Sequence, residues 1–426
     1  MHKSKRRLPN ALQNALILLL LASALFLVLR TGLIRTDALD GMFAAPSAGA
    51  PQSTEALTGA PQPIHIAART GGACSAWLNE TTGGNVFEDF APPLAEALAS
   101  AANSTAVDET EFRRALENDS IYYDFTTSLP LSLLSRVLGS SMAENSSLSA
   151  RVLLLSSLQD ATAALYAWDP EQNAYCRWDT GVPSDSLSET AQRHSGSAAE
   201  FAFLLDAPYS ALSPYTLLYT GAAETPNNLT AKGAAEDEVN ELLTALEFNV
   251  HSNTRYPESN GTEVIVQGTH TLRLAPDGTA SYSGGTDIPA LLRVEYAGES
   301  ATLSECADAA WHVASTLLAS RIGDATLYLR AAESDGDGSA KIEFGYLLDG
   351  YPILFPEDCA VKMQIENNAI TAFTLHLRAY TRSDAADALL PVLQAAAAAQ
   401  GADAPELFRG YYDDGSDTLP PRWLRR

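Results

Sequence analysis

An apolar run of 19 residues near the N-terminus, Ala11–Leu29, constrains this chain more than any other feature. It contains nine leucines, and only three of its residues are polar. A helix of about 20 such residues spans the roughly 30 Å hydrocarbon core of a bilayer. Four basic residues precede the run: Lys3, Lys5, Arg6 and Arg7. The positive-inside rule then places the N-terminus in the cytoplasm, and we predict a single-pass protein of the cell membrane with the bulk of its chain extracytoplasmic.

A cleaved secretory signal is the alternative interpretation of this run. Signal peptidase cuts after a small-x-small motif that closely follows a shorter apolar core. Here Arg30, Gly32 and Arg35 follow the run, and the nearest Ala-rich stretch, 44–50, begins 15 residues beyond it. An uncleaved anchor over residues 11–29 is therefore the favoured interpretation.

Charge is distributed unevenly along the chain, whose net charge is −25. The first 35 residues hold six basic and no acidic side chains, so residues 36–426 hold 21 basic against 52 acidic ones, a net of −31. Nucleic acids and anionic lipid surfaces are bound through a basic face, and neither is expected as a partner here. This excess of negative charge is typical of an extracytoplasmic domain or of a protein that binds a basic protein partner.

The cysteines exclude two kinds of site by their spacing. No C-x-x-C pair occurs, so a zinc cluster or a thioredoxin-like motif is not expected. Outside the membrane the four residues can pair in three ways, and buried thiols are an equal alternative. The residues concerned are Cys74, Cys176, Cys306 and Cys359.

Composition and pattern divide the chain into six segments. The stretch after the anchor is rich in Ala, Pro, Gly and Ser and has too few large apolar residues to pack, which is typical of a flexible linker. Two α+β regions and a short C-terminal tail follow it. The predicted segments are a basic tail (1–10), an anchor (11–29), a linker (36–63), an N-terminal ectodomain region (64–230), a C-terminal region (235–400) and a tail (401–426).

In the first region, helices are predicted over Pro92–Ala102 and Asp108–Asn118. Asp108 is the expected N-cap of the second helix, with Glu111 closing a capping box. The polar stretch Ser184–Ser197 is expected to be a loop. Alternating and aromatic runs predict the strands Ser120–Phe125, Arg151–Ser156, Thr162–Trp168 and Ala174–Trp178, with a short helix at Leu131–Leu138.

In the second region, a helix followed by antiparallel strands occurs twice, at 235–283 and 303–365, which suggests two related halves. The helices are predicted at Ala235–Leu246 and Leu303–Ile322, and Gly323 ends the second. A further Ala-rich helix is expected at Ser383–Gln400, before an unpacked end at Gly410–Arg426. The predicted strands are Glu263–Gln267, Thr269–Ala275, Thr279–Ser283, Thr326–Ala331, Ala340–Leu348, Ala360–Ile365 and Ile370–Tyr380. Helices layered on antiparallel sheets predict an α+β fold.

The sequence lacks the common catalytic motifs. The chain has no G-x-x-x-x-G-K-[ST], no H-E-x-x-H, no G-x-S-x-G and no S-x-x-K, and its histidines are scattered singly. The run Asp335–Ala340 begins like a calcium loop but lacks the sixth-position Gly, and Tyr346 stands where the bidentate Glu belongs. A hairpin turn explains it better. No catalytic residue, metal site or cofactor is predicted.

Four aromatic residues around the turn 347–350 are the candidate ligand or partner surface. They are able to line a groove, or they form the aromatic core of a half-buried sheet, which is the more common arrangement. The residues are Phe344, Tyr346, Tyr351 and Phe355.

Three segments carry a resemblance to a known family: an early run, a late aromatic run, and the hairpin of strands Val361–Ile365 and Ile370–Leu377 that continues the late run. The run Ile121–Phe125, followed by a Pro-containing helix start at Leu129–Leu134, resembles an early segment of the YycH/YycI-type (WalH/WalI) accessory proteins of Gram-positive bacteria. The run Phe344–Phe355 resembles their late aromatic strand and Asp-Gly-Tyr-Pro turn. The resemblance implies a two-component system regulator without catalysis, in contact with the WalK-type sensor histidine kinase of cell-wall metabolism and with a paralogous accessory protein.

These observations predict an accessory protein that modulates an envelope sensor kinase by contact, partly through packing of small residues in the membrane helix. The small residues concerned are Ala15, Ala22 and Ala24. The main alternative is a PepSY-like module that binds peptide or glycan or inhibits a partner. A third possibility, an envelope hydrolase, would require two carboxylates within reach of each other in a cleft.

Overall fold

Two large β-sheets, each layered with helices, make up most of the described chain, and the predicted α+β class is confirmed. The structure is a computed structural model that describes residues 61–78, 86–142, 148–157, 161–221, 225–249, 251–356, 359–399 and 404–426. Within these residues no helix has both the length and the apolar character to cross a membrane. The anchor predicted at 11–29, with Ala15, Ala22 and Ala24, lies outside the described residues.

The first sheet has nine strands in the order β3-β7-β6-β5-β4-β1-β2-β8-β9. Its neighbouring strands are antiparallel. The strands are β1 His65–Thr70, β2 Ala73–Leu78, β3 Ala102–Val107, β4 Ser120–Pro130, β5 Ser149–Ser157, β6 Thr162–Asp169, β7 Ala174–Pro183, β8 Ser197–Phe201 and β9 Leu217–Tyr219. Strands β4 to β6 are almost wholly buried because helices cover both of their faces.

Four helices flank this sheet: α1 Val86–Ser100, α2 Glu109–Glu117, α3 Leu131–Val137 and α4 Ser184–Ala191. The capping prediction for α2 is confirmed, since the Asp108 carboxylate accepts a hydrogen bond from the Glu111 N–H at 2.8 Å. The loop predicted at Ser184–Ser197 is wrong over its first half, where α4 forms. Only Leu187, Thr190 and Ala191 of α4 are buried, so the apolar stripe is too short to stand out in a polar sequence.

The second sheet contains two units in which a helix precedes four antiparallel strands. In the first unit, α5 (Glu236–Ala245) precedes β11 Thr254–Pro257, β12 Glu263–Gln267, β13 His270–Leu274 and β14 Thr279–Ser283. In the second, α6 (Leu303–Leu318) precedes β15 Thr326–Gly336, β16 Ser339–Leu348, β18 Val361–Glu366 and β19 Ala369–His376. Pairing of β14 with β19 joins the units into one sheet, so that β11 and β15 lie at opposite ends of the run β11-β12-β13-β14-β19-β18-β16-β15.

Gly323 ends α6 and its short 3-10 extension (Ala319–Ile322), as predicted. Its φ of +64° lies in the left-handed region, and a Cβ there would come within 2.3 Å of the Tyr380 carbonyl oxygen. Only glycine fits this position without strain. The predicted hairpin turn at Asp335–Gly338 is also present, between β15 and β16.

The C-terminal segment is packed, which corrects the prediction of an unpacked end at Gly410–Arg426. Strand β21 pairs in parallel with β17 and in antiparallel with β23, and β22 joins a small sheet with β10 and β20. The strands are β10 Leu229–Gly233, β17 Tyr351–Leu354, β20 Arg378–Arg382, β21 Leu407–Tyr412, β22 Thr418–Leu419 and β23 Arg422–Arg425. Hydrophobic residues at 407, 408, 411 and 419 are buried.

The Ala-rich helix predicted at Ser383–Gln400 is shorter than expected. Helix α7 occupies Val392–Ala399, and irregular chain precedes it. Pro391 accounts for the difference, because proline has no N–H for a preceding turn and its ring disfavours helical backbone at Leu390. The described helix therefore starts directly after the proline.

Candidate interaction surface

The four candidate aromatic residues lie together, but inside the core. Tyr346 OH donates to the His376 carbonyl oxygen at 2.8 Å, and the Tyr346 and Phe355 rings pack edge to face with their centroids 5.8 Å apart. Burial raises the pKa of Tyr346. Exposed fractions are 1% for Phe344, 0% for Tyr346, 7% for Tyr351 and 3% for Phe355. This burial favours the aromatic-core alternative, and a role for these residues in ligand binding stays a prediction.

A buried charge cluster connects the C-terminal segment to the first sheet. The Arg151 guanidinium on β5 donates to both carboxylate oxygens of Asp124 on β4, each at 2.9 Å. It also donates to both oxygens of Glu406, at 2.5 and 2.6 Å. The exposed fractions of the Arg151, Asp124 and Glu406 side chains are 5%, 2% and 8%. Arg426 adds a bond of 2.5 Å from its Nη1 to the Thr126 carbonyl oxygen.

The electrostatics of this cluster follow from its geometry. Burial alone would raise the pKa of Asp124, but Arg151 and Arg426 outweigh it and hold that pKa well below its usual range. Burial lowers the pKa of the neighbouring His65 to about 4, and the attraction of Asp124 offsets this only in part. His65 is therefore neutral near pH 7, and two guanidinium groups compensate the two carboxylates. The cluster is suited to holding the segment in place rather than to proton transfer.

A second buried group fixes the same segment to β20 of the small sheet, next to the point where β21 pairs with β17 of the second large sheet. Arg378 on β20 forms an ion pair with Asp413, whose second oxygen accepts a hydrogen bond from Tyr380 OH at 2.6 Å. Arg378 also donates to the Ser416 carbonyl oxygen at 2.8 Å. Burial and the Asp413 carboxylate both raise the pKa of Tyr380. The C-terminal segment is thus bound to both large parts of the fold.

Sequence analysis missed both groups, because each joins residues far apart in the chain. One signal was present: Asp124 and Arg151 are single charges in otherwise apolar strands, and a buried strand tolerates a charge only when it is paired. The partner Glu406 lies 255 residues from Arg151. No local pattern could have identified it.

Three carboxylates line a cavity of about 130 Å³ near this segment. All three already have partners. Asp413 is bound as described, and Asp414 accepts from the Ser416 hydroxyl at 2.5 Å, which lowers its pKa. Asp277 accepts from the Thr279 N–H at 2.9 Å. Among the described residues, no three His, Cys, Asp or Glu side chains are grouped so as to hold a metal ion. Within the same residues, Cys74 and Cys306 are buried thiols rather than disulfide partners, and burial raises the pKa of Cys74 to about 12.

The edge strand β11 is accessible from solvent. All four of its residues are exposed, and the Tyr256 side chain is 46% exposed. Between β11 and the flank of α5 lies an open groove of about 700 Å³. Its lining includes Glu236, Glu241 and Arg255. Exposed strand edges and grooves of this kind are common sites of protein recognition.

The corresponding edge at β15 is covered. Thr127 of β4 donates its hydroxyl hydrogen to the Arg330 carbonyl oxygen of β15. Ile64, just before β1, packs against Tyr328 of β15 and Leu347 of β16. The first sheet therefore covers the outer strand of the second unit, β15. The equivalent outer strand of the first unit, β11, is open.

Comparison with known proteins identifies the architecture. No family model and no curated protein sequence matches the chain. The crystal structure of YycH from Bacillus subtilis is similar to it, with a TM-score of 0.55 over 88% of this chain and 95% of that one. The chain has a YycH-like fold. The sequence identity is 11%, so the likeness shows the YycH-like fold alone.

Proposed function

We propose that this chain is a membrane-anchored, extracytoplasmic accessory protein that regulates a cell-envelope sensor histidine kinase of the WalK type by protein–protein contact. The observation that carries the proposal is the YycH-like fold, which extends over 88% of the chain. The anchor and the extracytoplasmic location rest on the sequence of residues 1–29.

The positions of the family-like segments support this proposal. Ile121–Phe125 lies in β4, at the centre of the first sheet, and Phe344–Phe355 spans the end of β16 and the whole of β17. The two segments therefore belong to the frame of the fold rather than to its loops.

A regulator of this kind acts by binding one state of its kinase more tightly than the other. The ratio of the two affinities sets how far the kinase equilibrium shifts. Two surfaces are available for such contact: the small residues Ala15, Ala22 and Ala24 in the predicted membrane helix, where close helix packing is favoured, and the folded domain. A paralogous accessory protein is a further proposed partner.

Affinity capture from detergent-solubilised membranes tests the proposal. The full-length chain is compared with a form that starts at residue 36 and lacks the predicted anchor. Recovery of a sensor histidine kinase by the full-length chain alone would assign the contact to the anchor, and recovery by both forms would assign it to the folded domain. Recovery by neither would contradict the proposal.

Regulation, as distinct from binding, requires a second readout. Deletion of the gene is expected to change the transcript levels of cell-wall hydrolases, and a gene copy carrying Ala15→Ile, Ala22→Ile and Ala24→Ile is expected to restore them only in part. A copy with Leu16→Ile, Leu19→Ile and Leu25→Ile is the matched control, since it leaves the small residues unchanged. Unchanged transcripts after deletion would count against a regulator.

A further inference from the structure

The two helix-and-strand units of the second sheet end differently, and the difference indicates a binding site. Strand β15 is covered by the first sheet of the same chain, whereas the equivalent strand β11 is exposed along its whole length. A strand edge carries N–H and C=O groups that pair readily with another extended segment. The first sheet packs on the outer strand of the second unit, so the outer strand of such a unit can be covered by another structural element.

The pairing of β11 with β12 determines which of its backbone groups face outward. Glu258 N–H donates to the Thr262 carbonyl oxygen at 2.8 Å, and hydrogen-bonded pairs in an antiparallel ladder recur at every second residue. Tyr256 and Thr254 therefore bond inward to β12, and Arg255 directs its N–H and C=O to the open side. Pro257 has no N–H to offer there, which limits the edge to a short added strand.

The groove beside β11 provides room for the side chains of an added strand. Helix α5 lies over the sheet through its buried Leu242 and Leu243, and its flank forms one wall of the groove of about 700 Å³, with Arg255 on the other. Side chains of a strand alternate between the two faces of a sheet. Every second side chain of a strand added to β11 would therefore enter this groove.

Charge indicates what kind of segment fits. Residues 236–283 contain eight acidic side chains against two arginines, a net charge of −6. Of the charged lining residues, Arg255 lies 3.7 Å from Glu263, and Glu241 forms an ion pair with Arg321 at 2.6 Å. Glu236 in the first turn of α5 is exposed and lines the groove. The potential at this edge is therefore negative and attracts basic side chains.

We propose that β11 and the groove between β11 and α5 bind an extended, basic segment of a partner protein by strand addition. The inference deepens the proposed function, and it rests on that function for the identity of the partner. The segment adds a strand of a few residues to the sheet, with alternate Lys or Arg side chains in the groove. So short a strand gives weak, reversible binding, as suits a regulatory contact.

Hydrogen exchange of the full-length chain in detergent micelles tests this directly. The probe is the heptapeptide Lys-Thr-Lys-Val-Lys-Thr-Lys, and Glu-Thr-Glu-Val-Glu-Thr-Glu is its charge-reversed control. We expect the basic peptide to slow exchange in β11 but not in β3, which is also an exposed edge strand. Equal protection of both edges, or protection by both peptides alike, would overturn the proposal.

Matched variants separate the backbone contribution from the charge. Arg255→Pro removes the outward N–H, and Arg255→Ala keeps it while removing the same side chain. We expect peptide binding, measured by fluorescence anisotropy, to weaken about tenfold in the first and not in the second. Equal affinities of the two variants would overturn strand addition.

A second pair of variants tests the contribution of charge to peptide binding. This pair also tests the proposal if Arg255→Pro disturbs the β11–β12 hairpin. Glu236 lines the groove, and its exposed neighbour Asp237 does not take part in the lining. Glu236→Lys is expected to weaken peptide binding about threefold more than Asp237→Lys. Equal effects would show attraction by net charge alone and would overturn the proposed groove.

Capture of the kinase distinguishes this inference from the proposed function. If the Arg255→Pro variant recovers the sensor kinase as well as the wild-type chain does, β11 is not the kinase contact and the proposed function stands. If the wild-type chain recovers no kinase while the peptide results hold, the proposed function fails and strand addition remains.

Discussion

The two helix-and-strand units of the second sheet have the same order of parts but opposite surroundings. In the second unit, the outer strand β15 packs against β4 of the first sheet and has buried residues at Tyr328, Leu329 and Ala332. In the first unit, the outer strand β11 is exposed at every residue. The pairing of β14 with β19 joins the two units into one sheet and involves neither outer strand. The outer strands can therefore have separate roles: β15 packs against the first sheet, and β11 is accessible to a partner.

The largest effect is expected where the C-terminal segment is fixed to the first sheet. Arg151→Leu leaves the buried carboxylates of Asp124 and Glu406 without their main partner, which should lower the free energy of unfolding by about 3–5 kcal/mol. Arg273→Leu is the control in the first unit, because its ion pair with Glu258 is long, at 3.7 Å, and half exposed. Urea titration should detect almost no change there, and a comparable loss in both variants would contradict a structural role for the buried cluster.

A second pair compares an aromatic residue of each unit. Tyr351→Ala removes a ring that is 7% exposed and packs edge to face with Tyr411 at 6.3 Å, and we expect a loss of about 3 kcal/mol in the free energy of unfolding. Tyr256→Ala on β11 should cost less than about 0.5 kcal/mol. If Tyr351→Ala left stability unchanged and removed peptide or glycan binding instead, the aromatic residues would be a ligand surface after all.

Acid should lower the free energy of unfolding through His65, which lies on β1 of the first sheet. Its pKa is lower in the folded chain, about 4, than the usual value of about 6.5. The stability associated with the neutral ring is therefore fully present above pH 6.5 and is lost as the pH falls toward 4. Between pH 7 and pH 4.5 the expected loss is about 2–3 kcal/mol, and urea titrations of His65→Gln at the two pH values should show a smaller pH dependence. An equal dependence in the variant would contradict this assignment.

The smallest effect concerns two single threonines: one on β4 that contacts the β15 edge, and one on the β11 edge. Thr127→Val removes the hydroxyl that donates to the Arg330 carbonyl oxygen and should cost about 1 kcal/mol. Thr254→Val on β11 should change the free energy of unfolding by less than about 0.5 kcal/mol. Equal costs in thermal or urea unfolding would mean that the two edges do not differ in their contacts.

The sequence predicted those parts of the fold in which local chemistry decides the structure. The N-cap at Asp108, the glycine stop at Gly323 and the strands of the second unit were all recognisable, because caps, turns and alternating burial leave local patterns. Strand β11 was missed because a strand exposed on both faces has no alternation. The Ala-rich hairpin of β1 and β2 was missed for a related reason, since it contains few β-branched residues.

The candidate surface was less predictable than the fold. Aromatic residues near a turn are more often core than groove, and the packing of Tyr346 against Phe355 and of Phe355 against His376 favours the core here. The charge cluster depends on pairs more than 200 residues apart, such as Arg151 and Glu406. Whether an outer strand is covered or open depends on how the first sheet packs against the second. That packing is a property of the folded chain and leaves no local pattern at β11 or β15.

Native-state hydrogen exchange of the full-length chain, without added peptide, tests the central contrast most directly. We expect amides of β15 between Leu327 and Ala332 to exchange on the order of a hundredfold or more slowly than those of β11, because a covered edge opens only with a larger part of the fold. Exchange at similar rates in the two strands would contradict the contrast between a covered and an open edge.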